Sequence, residues 1–339
     1  MGKNSKSNFT DLLKETVSEG KLPERTAKLL YGFYDGYRDH AINDMDEEEI
    51  DALFAIFLSK VCQQVNTPFE FEPYHERIRK PFDYYSFGLD FVRPLVDKSI
   101  STLTGAVNLE EILHHIEQKH NVVFLANHQT EADPQALSLM LEEKFPRLAE
   151  ETIFVAGERV TTDPLAVPFS MGCNLLCIYS KRYIDHPPEK KQEKQLHNKR
   201  TMQLMSQLLA EGGKCIYIAP SGGRDRKNSE GKIEIAPFDP KSIEMVYLMA
   251  KKSGRPTFFY PMALGTYEIL PPPETIQIEL GEKRMLKKEG IHLCIGKQID
   301  MEHFPESENL DKNVRRKSRA DYIWDLVNQD YHRFPGENT

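Results

Sequence analysis

The chain has 339 residues, 40% of them apolar and 28% charged, with 52 acidic against 44 basic side chains and a formal net charge of −8. That length suits about two domains with a large core, and that balance is the one of a globular protein rather than a disordered or fibrous one. The negative charge argues against general nucleic-acid binding, and no stretch approaches the roughly 18 apolar residues of a membrane-spanning helix.

The start, MGKNSKSNF, lacks the apolar centre of a secretory signal and carries Lys6 where an N-myristoylation motif wants Ser or Thr. The five cysteines, Cys62, Cys173, Cys177, Cys215 and Cys294, are scattered and set mostly in apolar runs, which predicts buried thiols in a reducing compartment. Neither Cys173-x-x-x-Cys177 nor Glu111-x-x-His114 has the repeat that a zinc or di-iron site needs, so no metal is expected.

Residues 1–80 predict a small helical bundle. Helical candidates lie over residues 9–18 and 25–40, and a third begins at the acidic run 44–49, where the charges complement the helix dipole. That third helix carries Ile50, Leu53, Phe54, Phe57, Leu58, Val61, Cys62 and Val65 on one stripe. Residues 67–83 are rich in Pro and aromatics without a clean period and are expected to link the bundle to a second domain over 81–339.

After the aromatic segment DYYSFGLDFVRPLV and a helix over 109–120, the pattern becomes strand, loop, helix, repeated. Candidate strands cover 122–126, 153–156, 175–178, 215–219, 258–261 and 293–295. The alternation predicts an α/β fold, a mostly parallel mixed sheet covered by helices on both faces. Pro271-Pro272-Pro273 marks a rigid loop, since strand-like sequence resumes at Ile276.

In such a sheet ligands bind at the carboxyl ends of the strands, and the loop after the first of these apolar strands, Asn127 to Asp133, holds His128 five residues before Asp133. A His oriented by a carboxylate can take a proton from an alcohol that then attacks an acyl group. The plainer alternative is that Asp133-Pro134 is a helix N-cap followed by Pro, with Thr130 completing a capping box.

Two later loops belong with this one. Ser180-Lys181-Arg182-Tyr183 closes the third strand, and from there to Arg200 seven basic residues stand against three acids. The lysines of KKQEKQ read as a solvated helix face, whereas Arg182 follows the strand end directly. In Ala219-Pro-Ser-Gly-Gly-Arg-Asp-Arg226, Gly222 and Gly223 allow a tight turn with exposed N–H groups, and Arg224 and Arg226 can grip an anion through forked hydrogen bonds. Ser221 is not in the G-x-S-x-G setting of a serine hydrolase.

NHQTEADP, FVAGERVTTDPLAVPFSMG and IAPSGGRDR, in this order, resemble the soluble glycerol-3-phosphate acyltransferases of plastids and some bacteria, and the likeness covers nearly the whole chain. It implies that His128 and Asp133 are the catalytic pair and that Arg224, Arg226, Arg182 and Tyr183, with Gly222 and Gly223, bind the phosphate of glycerol 3-phosphate. Plant members carry a Lys-His pair where this chain has Arg182-Tyr183. Arg182 keeps the charge and Tyr183 does not.

The expected activity is transfer of a fatty acyl group from acyl carrier protein or acyl-CoA to the sn-1 hydroxyl of glycerol 3-phosphate, giving lysophosphatidate. The thioester is already activated, so no cofactor is needed. The alternatives are a lysophosphatidate acyltransferase and a non-catalytic module that binds an acyl carrier. The basic clusters at 181–200 and 312–319 favour an acidic carrier protein. The resemblance further implies a soluble protein of the bacterial cytoplasm or, as a mature chain, the plastid stroma. No nucleic acid and no integral membrane segment is expected, with transient membrane-surface contact only for product release.

Overall fold

The computed structural model describes residues 8–180, 184–273, 284–308 and 310–336. Arg182, Tyr183 and the strand-like sequence from Ile276 lie outside these residues.

Three helices come first: α1 (Phe9–Ser18), α2 (Glu24–Ala41) and α3 (Glu47–Asn66). The Asn8 side chain caps α1, and Asp46 with Glu49 makes a reciprocal capping box on α3. Their apolar faces meet in an aromatic core around Phe54, whose ring lies 5.4 Å from Phe9, 5.2 Å from Tyr37 and 5.3 Å from Phe91. Phe91 belongs to α4 (Tyr84–Val92), so the core of the bundle runs on into the segment that follows it. Between α3 and α4, β1 (Tyr74–His75) lies within the stretch expected to be a plain link.

The remaining chain alternates as its sequence suggests. In order it forms β2 (Thr102–Thr104), α5 (Ala106–Glu117), β3 (Asn121–Ala126), α6 (Asp133–Leu141), α7 (Pro146–Glu151) and β4 (Ile153–Gly157). Then follow α8 (Glu158–Thr162), α9 (Val167–Ser170), β5 (Asn174–Ile178), α10 (Lys191–Glu211) and β6 (Cys215–Ile218). A short hairpin, β7 (Arg226–Lys227) with β8 (Ile233–Glu234), precedes α11 (Pro240–Lys252), β9 (Thr257–Gly265), β10 (His292–Ile295) and α12 (Lys312–Tyr331).

Among the described residues eight strands join one sheet, in the order β1-β5-β4-β6-β3-β9-β10-β2. The pairs from β5 through β9 are parallel, as is β10 with β2, whereas β1 with β5 and β9 with β10 are antiparallel. All six predicted strands are present in this mixed, mostly parallel sheet.

β3 is buried along its whole length, and its side chains alternate between two cores. Val122, Phe124 and Ala126 pack with Leu109 and Ile112 of α5 and Leu137 of α6. Val123 and Leu125 pack with Leu208 of α10, Val246 of α11 and Ile323 of α12. Helices therefore cover both faces, and the loops after β3, β6 and β9 emerge side by side at one edge.

β9 continues through Pro261, where the sequence expectation ends it. Pro261 lies opposite Gly296, just past β10, whose N–H donates to the Pro261 carbonyl at 2.9 Å. The proline thus faces the end of a ladder, where a missing donor is tolerated. Among the described residues no helix is long and apolar enough to cross a membrane.

Gly105 sets the start of α5 with φ +79°, and a Cβ there would overlap the Ile295 carbonyl oxygen. Gly20, with φ +72°, has nothing within 4 Å of the same position. Gly20→Ala should cost only the backbone term, about 1–2 kcal/mol, whereas Gly105→Ala should cost at least about 3 kcal/mol because a backbone carbonyl must also move. Urea unfolding of both variants checks this, and equal losses would contradict the close approach.

Candidate active site

The loop after β3 is organised by Asp133. Its side chain is 2% exposed, and one carboxylate oxygen accepts from His128 Nδ1 at 2.7 Å and from the Gln129 N–H at 2.9 Å. The other accepts from the Thr266 hydroxyl at 2.6 Å and the Thr130 N–H at 3.1 Å. Thr266 follows the end of β9, so the strand beside β3 helps to hold the loop of β3.

This corrects the plainer alternative for the same residues. Asp133 is the first residue of α6 rather than its N-cap, and Ala132, which stands at the cap, makes no side-chain bond there. Only half of a box between Thr130 and Asp133 forms: the Thr130 N–H and, at 3.4 Å, its hydroxyl donate to the carboxylate, while that hydroxyl accepts from the Ala132 N–H at 2.9 Å. The carboxylate is spent on the loop before the helix. With Nδ1–H donating to it, the His128 imidazole has its lone pair on Nε2, and the ring keeps a third of its surface exposed. That arrangement is the one a general base needs.

The loop after β6 lies against it. Gly222 takes φ +65°, a left-handed turn position, while Gly223 needs no such freedom. The Ser221 hydroxyl donates to the Gly223 carbonyl at 2.9 Å and is part of the turn. The Asp225 N–H then donates to the His128 carbonyl at 2.7 Å, which brings Arg224 and Arg226 beside the loop of His128. Arg224 has a side chain only 10% exposed, with Nη1 3.9 Å from Glu131 Oε1, and Arg226 donates from Nη1 to the Pro273 carbonyl. Burial pushes the phenol of Tyr267, just past β9, upward, and the charge of Lys227, with those of Arg226 and Arg224, opposes it.

Several partners here carry no signal in the sequence. Arg284, nine-tenths buried, donates to Glu131 Oε2 from Nε at 3.0 Å and Nη2 at 2.8 Å, and to Asp163 Oδ2 at 3.1 Å. Burial alone would lower its pKa, and the charges of Glu131 and Asp163 raise it instead. Asn127 donates to Asp225 Oδ2 at 2.8 Å and exchanges two bonds with the backbone of Leu264 in β9, at 2.7 and 2.9 Å. The Tyr217 hydroxyl donates to the Asn127 carbonyl at 2.5 Å, and burial pushes that phenol far above its usual range. Burial likewise pushes the Asp225 carboxyl up to about 6. Such partners come from distant segments, and no spacing announces them.

Residues 108–265 match the family model described as Acyltransferase, a span that holds both loops. A glycerol-3-phosphate acyltransferase, ATS12, chloroplastic, of Cucurbita moschata is 38% identical over 97% of this chain and 72% of its own length. The chloroplastic glycerol-3-phosphate acyltransferase of Arabidopsis thaliana is 36% identical over 94% of this chain and 70% of its own. This chain belongs to the glycerol-3-phosphate acyltransferase family. A solved structure, the 1-acyl-sn-glycerophosphate (LPA) acyltransferase PlsC from Thermotoga maritima, aligns with 92% of this chain and 98% of its own at 15% identity and a TM-score of 0.39, too distant to carry an argument. The plant relatives are named as chloroplastic, which lends the bacterial-cytoplasm half of the expectation no support.

For a glycerol-3-phosphate acyltransferase the basic clusters stand out less than their sequence suggests. Lys194 is 7% exposed rather than solvated, bonds the His186 carbonyl at 2.6 Å and lies 3.4 Å from Glu158. Lys191 pairs with Asp185 at 2.9 Å, and on α12 Arg316 and Arg319 both pair with Glu244, at 3.1 and 2.6 Å. Arg182 and Tyr183, the remaining predicted contacts, lie outside the described residues.

Arg284→Ala would leave the buried Asp163 and the part-buried Glu131 without that cation. Loss of one partner from a buried ion pair costs about 3–5 kcal/mol, so chemical denaturation should show a drop of that order. A loss below about 1 kcal/mol would mean that the cluster is solvated in solution.

Proposed function

We propose that the protein transfers a fatty acyl group from a thioester, on acyl carrier protein or coenzyme A, to the sn-1 hydroxyl of glycerol 3-phosphate, giving lysophosphatidate and the free thiol. The observation that carries this reading is the His128 to Asp133 bond of 2.7 Å in a loop directly bonded to the one bearing Arg224 and Arg226. Family membership supports the same substrates, since the plant relatives are named for glycerol 3-phosphate.

In this reading Arg224 and Arg226, with the turn at Gly222 and Gly223 and with Arg182 and Tyr183, which follow β5 in the sequence, hold the acceptor phosphate. The acceptor hydroxyl then faces His128 Nε2. As the hydroxyl oxygen attacks the thioester carbonyl, Nε2 takes its proton, and Asp133 stabilises the imidazolium through Nδ1. When the tetrahedral intermediate collapses the carbon–sulfur bond breaks, and the same proton passes to the departing thiolate. No redox step occurs. Fixing the phosphate converts a bimolecular encounter into an oriented attack, which is where the clamp contributes most. The pairing of Lys191, Lys194, Arg316 and Arg319 with acids removes much of the reason to favour carrier protein over coenzyme A.

Release of free carrier or coenzyme A should require added glycerol 3-phosphate. His128→Ala should lower kcat by on the order of 10²–10⁴ with acceptor binding retained, whereas Arg224→Ala or Arg226→Ala should raise the acceptor KM by roughly ten- to a hundred-fold. Thiol release that ignores glycerol 3-phosphate, or a His128→Ala enzyme of near-normal kcat, would contradict the assignment.

A further inference from the structure

Asp225 lies between Arg224 and Arg226 in sequence, yet its carboxylate is directed to the other loop. The residue is 0% exposed. Its Oδ2 accepts from Asn127 Nδ2 at 2.8 Å, its Oδ1 from the Ala236 N–H at 3.0 Å, and its own N–H donates to the His128 carbonyl at 2.7 Å. Asn127 is in turn fixed to β9 through both atoms of its amide. Two consecutive residues at the head of the catalytic loop are therefore bonded to one residue of the arginine loop.

A buried carboxylate of this kind is costly, and desolvation raises its proton affinity accordingly. An asparagine offers one acceptor where Asp225 uses two, so its amide nitrogen would meet either the Asn127 amide or the Ala236 N–H.

We propose that Asp225 is a positioning residue for acyl transfer, fixing the reach between the His128 imidazole and the guanidinium groups of Arg224 and Arg226. The proposal rests on the reading of His128 as base and of the arginines as phosphate clamp. Glycerol 3-phosphate is short, so the separation between its phosphate and its reacting hydroxyl leaves little slack. A base displaced by about 1 Å from a phosphate-anchored hydroxyl can lose as much as 10²-fold in rate. The carboxylate draws the Asn127 amide across to the arginine loop, and the bond from its N–H to the His128 carbonyl holds the next residue at the same register.

The test is steady-state kinetics of the full chain with acyl carrier protein or acyl-CoA as donor and glycerol 3-phosphate as acceptor. Asp225→Asn should lower kcat by about ten- to a hundred-fold while the acceptor KM stays within about threefold. In a His128→Ala background, where no base remains to be placed, the same substitution should change the residual kcat by less than about twofold. A normal kcat in folded Asp225→Asn, an effect confined to KM, or an equal loss in both backgrounds would each overturn the proposal. Should Asp225→Asn fail to fold, Asn127→Ser cuts the same bond from its other end, and failure of both to fold would assign the bond to stability and overturn the proposal. A wild-type enzyme that releases no thiol with glycerol 3-phosphate would instead defeat the functional reading itself.

Discussion

A buried carboxylate must be satisfied from all sides, and the architecture around Asp133 follows from that need. Its donors come from His128, the Gln129 and Thr130 backbone, and Thr266. Thr266 reaches it only because β9 runs parallel to β3 in a register that pairs Ala126 with Met262 and then carries on past the end of β3 to Gly265. The sheet register thus sets the geometry of the imidazole. Without four donors converging on it, an ionised carboxylate at this depth would cost several kcal/mol.

The same logic extends outward. Gln129, whose N–H feeds Asp133, presents its side-chain oxygen to the N–H groups of Thr266 and Tyr267 at 2.6 and 2.9 Å. Glu131, in the same loop, faces both Arg284 and Arg224. Arg224 and Arg226 are therefore held in place by an acid and a carbonyl within the fold. Guanidinium groups set in advance lose less side-chain freedom on binding, which is how a small dianion can be gripped without a large apolar contact.

The parts legible in the sequence are those with a short period or a local pattern. Val122 to Ala126 announce a strand buried on both faces, and the stripe from Ile50 to Val65 announces α3, because core burial imposes those repeats. β1 and β2 were not legible, being two and three residues long and formed from YH and TLT rather than apolar runs. That His128 and Asp133 would pair could be read from their spacing at a strand end. The roles of Asp225, Asn127, Arg284 and Asp163 could not, since each depends on a partner that only the folded sheet brings near. Lys194 shows the converse, a charge in a polar run that the fold buries against Glu158 and the His186 carbonyl.

Acyl transfer by His128 requires that Asp133 serve the imidazole and not the fold alone. Asp133→Asn keeps the size of the side chain and an oxygen for the loop N–H groups while removing the charge. The decisive measurement is its kcat for acyl transfer to glycerol 3-phosphate, taken beside its melting temperature. The account predicts a kcat lower by on the order of a hundredfold or more in a protein that still melts cooperatively as a folded chain. A kcat within about threefold of wild type, with only the melting temperature reduced, would mean that the loop is scaffolding and the mechanism is wrong.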